Sequence, residues 1–557
     1  MSSLSTQAGG VPILALKEGA NRSRGREALH GNITAAKVVA ESIRSALGPK
    51  GMDKMLVDNF GDVTITSDGR TIMDEMDVQH PAAKMMVEVS KTQDNEAGDG
   101  TTSAVIIAGE LLNKAEELID KNVHPTVVID GYRKAAERAL QTLENIALPV
   151  NLASQEYLKK AATTSMGSKI VAEYKEYLAE LAVKAMMMVA EKKDGAYKVD
   201  IEDVKVEKKT GESITDTSLI SGIVLDKEIV QSGMPKRIQN AKIALIDASL
   251  EIEKTEMDSK INIENPAQIE AFLNEEETMI KDMVNKIVAS GANVVICQKG
   301  IDDMAQHFMA RKGIAAVRRA KKSDMEKLAR ATGAKIVSSL DDLSSSDLGF
   351  AALVEERKVS DDKMTFVEGC KNPKAVTILI RAGTERMTAE AERSLHDGLC
   401  VIRDLINEPR IVAGGGAPEM EMANQLRKFA ETIAGREQLA IRVFADALES
   451  IPITLSENAG LDPINIISEL RSRHEKGETW AGIEVHDGKV QDMSKANIFE
   501  PLSVKKQIIK SATEAATMIL KIDDIIASAK SKSPPMPPGG MGGGMGGMGG
   551  YPGAGEY

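Results

Sequence analysis

Gly98-Asp99-Gly100-Thr101-Thr102-Ser103 runs straight into an apolar stretch of helical period over residues 101–121, and the reading of that junction decides the fold. Glycine lets bare amides approach a phosphate closely, and a helix start aims unpaired N–H groups at such an anion. Asp99 sets one hard oxygen beside the threonine hydroxyls, an arrangement suited to a magnesium ion carried on a nucleotide. Taken alone, the same aspartate reads as a helix N-cap. Two more glycine loops meet helix ends: Leu47-Gly48-Pro49-Lys50-Gly51, which closes a helix over residues 32–47, and Gly414-Gly415-Gly416. Any single one of them also reads as an ordinary turn. A Walker A loop is excluded, because Gly482 and Gly488-Lys489 are separated by five residues and followed by Val490. A phosphatase of the Asp-Gly-Thr type needs a second aspartate where Ala97 stands.

Working outward, 557 residues at about 150 per domain predict three to four domains. Acidic side chains outnumber Lys and Arg by 83 to 70, which argues against nucleic acid as a general partner. Cys297, Cys370 and Cys400 are too scattered for a disulfide framework or a paired-cysteine metal site, and the histidines show no metal-ligand spacing. The first ten residues lack the basic and apolar blocks of a secretory signal, and charge interrupts each apolar run before it reaches a bilayer-spanning length. A cytoplasmic protein without a membrane partner is expected. Aromatics are 3% while methionine reaches 28 copies, so the core relies on aliphatic side chains and adaptable thioethers.

Residues 55–57 and 63–66 flank turn residues as in a β-hairpin, and a second turn at Ser67-Asp68-Gly69 presents Asp68. Residues 151–190 read as helix. From about residue 206 short strands and turns take over, with strands at 243–246, 294–296 and 315–317, and with Asn265, Pro266 and Gln268 marking a helix start. After a strand at 376–380 helical texture returns and persists to about residue 528, interrupted at the glycines 414–416. An α/β domain inserted into helical surroundings follows. The last 24 residues hold 11 Gly and 5 Pro, which opposes regular structure; their Gly-Gly-Met repeats read as a solvated end or a weakly adhesive surface.

LGPKGMDKML at residues 47–56, SDGRTI at 67–72, GDGTTS at 98–103 and GGGAPE at 414–419 together resemble a group II chaperonin over residues 11–529, and the tail resembles that of archaeal thermosome subunits. The resemblance implies a subunit of α plus α/β class with three domains. The helical equatorial domain would comprise residues 1–153 and 411–530, the intermediate hinge domain 154–220 and 377–410, and the inserted α/β apical domain 221–376. A lid protrusion at about 251–288 and a flexible tail at 531–557 complete it.

By the same resemblance, ATP phosphates are held at Leu47, Gly48, Pro49, Gly100, Thr101, Thr102 and Ser103, with Gly415 and Gly416 against the nucleotide and magnesium on Asp99. Asp68 lies near the γ-phosphate, Asp397 positions the attacking water, and Lys169 senses the γ-phosphate. Without the resemblance, Asp397 reads as a helix-surface charge and Lys169 as a solvated lysine. Two stacked eight-membered rings of identical or paralogous subunits are implied, closing over unfolded polypeptide clients without a separate lid co-chaperonin. Met304 and Phe308, one turn apart, are implied to face the client; as a bare pattern they read as core. Ala46, Ser67, Arg70, Ser103 and Lys495 depart from the usual family pattern, the last where an acid commonly meets the ribose. Two further readings are an ATP-independent holdase ring and a monomeric magnesium-dependent phosphotransferase.

Overall fold

The computed structural model describes residues 5–8, 11–14, 21–152, 154–193, 195–252, 266–370 and 374–527. The tail and residues 253–265, the first half of the expected protrusion with its Asn265 cap, lie outside the described residues. The chain divides into two compact units. In the one formed by both chain ends, Asn21–Arg24 pairs antiparallel with Asp524–Ala527, and Ser5–Ala8 pairs with Val11–Leu14.

The unit spanning residues 30–521 holds the candidate site. Its helical part packs Thr101–Asp120, Pro125–Ile146, Ala417–Thr432, Glu437–Leu448 and Leu502–Leu520 against one another. Thr101–Asp120 buries residues on nearly every face, as its apolar sequence requires. Pro125 opens the next helix at a position where its missing N–H costs nothing, and His124 caps it by accepting from the Thr126 N–H. At their crossing the Tyr132 hydroxyl donates to the Leu111 carbonyl at 2.7 Å, and its ring meets Phe444 edge to face at 5.5 Å.

A second core gathers Glu156–Met166, Lys175–Val189 and Glu385–Asn407 on a three-stranded sheet. Its central strand, Val376–Ala382, is buried along its whole length, parallel to Val204–Thr210 and antiparallel to Ser218–Ile220. A third core fills a seven-stranded mixed sheet. There Arg237–Ile246 lies between the antiparallel Gly349–Val359 and the parallel Val294–Cys297, and Pro266–Ser290, Asp303–Arg311 and Lys322–Thr332 are its helices.

Three local expectations need correction. The first long helix runs Arg26–Arg44, so it starts before residue 32 and stops short of residue 47. The turn at Asp68 opens a seven-residue helix, Gly69–Glu75. The later half is not purely helical, since Arg410–Ala413 pairs with Phe499–Pro501 and Leu148–Pro149, and Ala481–Glu484 forms a hairpin with Lys489–Asp492. Every residue of Ala481–Glu484 is buried, so the alternation that betrays a strand is absent. Among the described residues no helix is long and apolar enough to cross a membrane.

Tyr132→Phe keeps the ring packing and removes only the bond to Leu111. It is expected to lower stability by about 1 kcal/mol in denaturant unfolding; an unchanged midpoint would contradict the assigned bond.

Candidate functional site

Asp68 follows the strand Val63–Thr66 and caps the helix Gly69–Glu75. Its Oδ2 accepts from the Thr71 N–H and the Thr71 hydroxyl, both at 2.9 Å. This start rests on the helix Thr101–Asp120: a side chain at Gly69 would stand 2.6 Å from Thr102 Oγ1 and 2.8 Å from Thr102 N. Asp68 is thereby set beside Thr101, Thr102 and Ser103, which form the first turn of Thr101–Asp120.

The junction needs its glycines. Gly98 ends Pro81–Ala97 at φ 70° and Gly100 caps the following helix at φ 78°, both in the left-handed region. Any side chain at Gly98 would run into Cys400 Cβ and Sγ. Cys400 lies one turn beyond Asp397 on Glu385–Asn407, so the close approach brings that helix to the Asp99 loop. Asp99 is half-buried and its Oδ1 accepts from the Gly100 N–H at 2.6 Å.

Lys169 closes the group. Its Nζ stands 3.1 Å from Asp68 Oδ1 and 2.9 Å from Asp397 Oδ2, and all three side chains are buried. Neither of the bland readings holds: Lys169 is not solvated, and Asp397 is not a surface charge. The three polar groups are matched unequally. Burial pushes the Asp68 carboxyl up, but the Lys169 ammonium and the Thr71 hydrogen bonds outweigh it and bring the pKa down to about 2. Burial holds Asp397 well above the usual carboxylate range despite Lys169, with repulsion from Asp68 and Asp99 in the same direction. Burial opposes charge on Lys169 too, yet Asp397 and Asp68 keep its proton bound more tightly than in an ordinary lysine. One ammonium serving two carboxylates leaves one anion held firmly and a second group with high proton affinity.

The remaining glycine loops share a support. Gly48, at φ 81°, packs on Leu455, and a side chain at Gly416, at φ 77°, would stand 3.0 Å from Pro452, both on the helix Ser450–Asn458. Asn458 Nδ2 donates to the Leu47 carbonyl at 2.9 Å. Gly415 exchanges backbone contact with the hairpin through an Ile483 N–H to Gly415 carbonyl bond of 2.9 Å. A cavity of about 490 Å³ is lined by Pro49, Thr164, Gly167, Glu484, His486 and Asn497, among others. It joins the Leu47-Gly48-Pro49 loop to the segment leading into Lys169, and its volume falls in the range of small-ligand sites.

Sequence reasoning missed the hairpin side chains Glu484 and His486, because that stretch passed for helix. It also missed Lys505, whose buried ammonium lies 2.8 Å from Glu419 and 2.8 Å from Glu500. Glu419 ends the motif at 414–419, but nothing in the spacing links it or Glu500 to a lysine on Leu502–Leu520. Among the described residues no three His, Cys, Asp or Glu side chains form a metal cage. The carboxylate of Asp99 at a helix start fits instead an ion that arrives with phosphate ligands of its own.

Residues 39–530 match the model of the TCP-1/cpn60 chaperonin family. The thermosome subunit of Pyrococcus horikoshii is 58% identical over 94% of this chain and 95% of its own length. Thermosome subunit beta of Archaeoglobus fulgidus is 57% identical over 93% of this chain and 95% of its own, and that of Saccharolobus solfataricus 55% over 95% and 96%.

Lys169→Met leaves two carboxyl groups buried without their cation and is expected to cost about 3–5 kcal/mol; adding Asp397→Asn to it should return part of that loss in the same unfolding assay. Asp68, with its pKa depressed from 3.8 to about 2, contributes stability that is present above the higher value and lost as pH falls through the lower one. Asp68→Asn is therefore expected to cost about 2 kcal/mol near neutrality, with the gap to wild type closing as the pH of the denaturant series is lowered. A gap that stays constant would contradict the assignment.

Proposed function

We propose an ATP-driven cycle for this chain, which belongs to the TCP-1/cpn60 chaperonin family and is a group II chaperonin subunit with a three-domain fold, acting in protein folding. The observation that carries the proposal is the Lys169 bridge between Asp68 and Asp397 beside the start of Thr101–Asp120. The phosphates lie against Leu47, Gly48 and Pro49 and on the amides of Gly100, Thr101, Thr102 and Ser103, with Gly415 and Gly416 closing the other side. Asp99 holds magnesium, which neutralises charge on the phosphates. The base and ribose occupy the cavity between Pro49 and the hairpin.

Asp397 is suited to orient the attacking water and take its proton, because burial raises its proton affinity above that of an ordinary carboxylate. Asp68 stays ionised near the transferred phosphoryl group. Lys169 senses that group: a γ-phosphate offers its ammonium a third anion, and departure of the phosphate returns it to the two carboxylates.

The domain limits give this exchange a mechanical meaning. We take residues 1–153 and 411–530 as equatorial, 154–220 and 377–410 as intermediate, and 221–376 as apical. Asp68 and Asp99 then belong to the equatorial domain, Lys169 and Asp397 to the intermediate one, so nucleotide contacts both and has different affinity for open and closed arrangements. Two stacked eight-membered rings of identical or paralogous subunits enclose the client in the cytoplasm. The protrusion at about 251–288 serves as lid in place of a separate co-chaperonin. Unfolded polypeptide meets the apical helix Asp303–Arg311, where Met304 is exposed and Phe308 half-buried under the Lys281 ammonium.

Asp397→Ala is expected to lower steady-state ATP hydrolysis by about 10²- to 10⁴-fold while the assembled particle still binds nucleotide. Undiminished hydrolysis in that variant would refute the role given to Asp397.

A further inference from the structure

His474, on the helix Pro463–Glu475, has a fully buried side chain in which both ring nitrogens have partners. Nδ1 lies 2.8 Å from Glu421 Oε2, and Nε2 lies 2.9 Å from the Ala481 carbonyl. A carbonyl oxygen only accepts, so Nε2 donates to Ala481, while Nδ1 shares a hydrogen bond with the Glu421 carboxyl group. Glu421 is fixed in turn, its Oε1 accepting from Gln425 Nε2 at 2.8 Å, and Asn424 Nδ2 donates to the His474 carbonyl at 3.2 Å.

These bonds close a circuit around one wall of the cavity. Glu421 sits on Ala417–Thr432, the helix capped by Gly416. From Glu421 the path crosses His474 to Ala481, the first residue of the strand Ala481–Glu484, and Ile483 returns it to the Gly415 carbonyl at 2.9 Å. Gly482 packs so tightly there that a side chain would stand 2.9 Å from the Gly414 carbonyl and 3.0 Å from that of Gly415. Glu484, the last residue of the strand, and Val485 and His486 after it line the cavity. The His474 ring thus ties the helix that follows the triglycine loop to the strand that carries the cavity wall.

We propose that His474 is a positioning residue for nucleotide affinity: with Glu421 it holds the hairpin against Gly414-Gly415-Gly416, so that the cavity fits the base and ribose before binding. This rests on the placement of ATP given above. His474 touches none of the groups assigned to hydrolysis, so its effect falls on KM rather than on kcat.

Steady-state hydrolysis of Mg-ATP by the assembled particle tests it with two variants. His474→Asn keeps a hydrogen-bonding amide near Nδ1 for Glu421 and loses the donor to Ala481; His474→Gln keeps a donor near Nε2 for Ala481. The Asn variant is expected to raise KM for ATP about tenfold with kcat within about twofold of wild type, and the Gln variant to recover most of the KM. A residue that merely filled the core would respond alike to both. Equal KM values in the two variants, a fall in kcat alone, or failure of both to assemble would overturn the proposal. Absence of hydrolysis in the wild-type particle would instead refute the ATP cycle itself, and this inference with it.

Discussion

A single ammonium, that of Lys169, stands between two buried carboxylates, and the rest of the site is arranged around that imbalance. Removing three charged groups from water costs several kcal/mol per ion, and their mutual attraction offsets this only with close geometry and added hydrogen bonds. Asp68 has those bonds from Thr71; Asp397 depends on Lys169 and is crowded by Asp68 and Asp99. Hydrophobic residues of equal volume would stabilise such a position as well or better. A cluster of this kind is therefore explained by what it does when a further anion or a water enters.

The fold supplies the distances. Gly69 against Thr102, Gly98 against Cys400 and Gly48 against Leu455 are places where backbone meets a neighbouring side chain with no room for a Cβ. Each such contact brings two elements far apart in the sequence to one place. The helix starts at Thr101 and Ala417 contribute the unpaired amides, and the buried helices beneath keep those starts from shifting. In the proposed division, Lys169 and Asp397 lie on one side of the hinge and Asp68 and Asp99 on the other, which would join chemistry to motion without an intervening chain of contacts.

What could be read from the residues beforehand follows from how local each signal is. The helix after Gly100, the hairpin strands Lys54–Val57 and Val63–Thr66, and the strands Val294–Cys297 and Ala315–Val317 carry their patterns within a few residues. The motif at Asp99 is legible for the same reason: glycines and a helix start are neighbours in sequence. Asp397 and Lys169 are not, because their burial is created by elements some hundreds of residues away, and along their own segments they look like any polar position. The hairpin at Ala481–Glu484 escaped since it is buried on both faces, and His474 since both of its partners come from other segments. For Asp397 and Lys169 the family resemblance supplied what spacing alone does not.

The most direct measurement is a structure of the assembled particle with magnesium and a non-hydrolysable ATP analogue. The account predicts the triphosphate at the start of Thr101–Asp120, the cation on Asp99, the terminal phosphate in hydrogen-bond reach of Lys169, and a water between that phosphate and Asp397. A nucleotide seated elsewhere, or one that leaves Lys169 closed on Asp68 and Asp397 with no phosphate near, would contradict it.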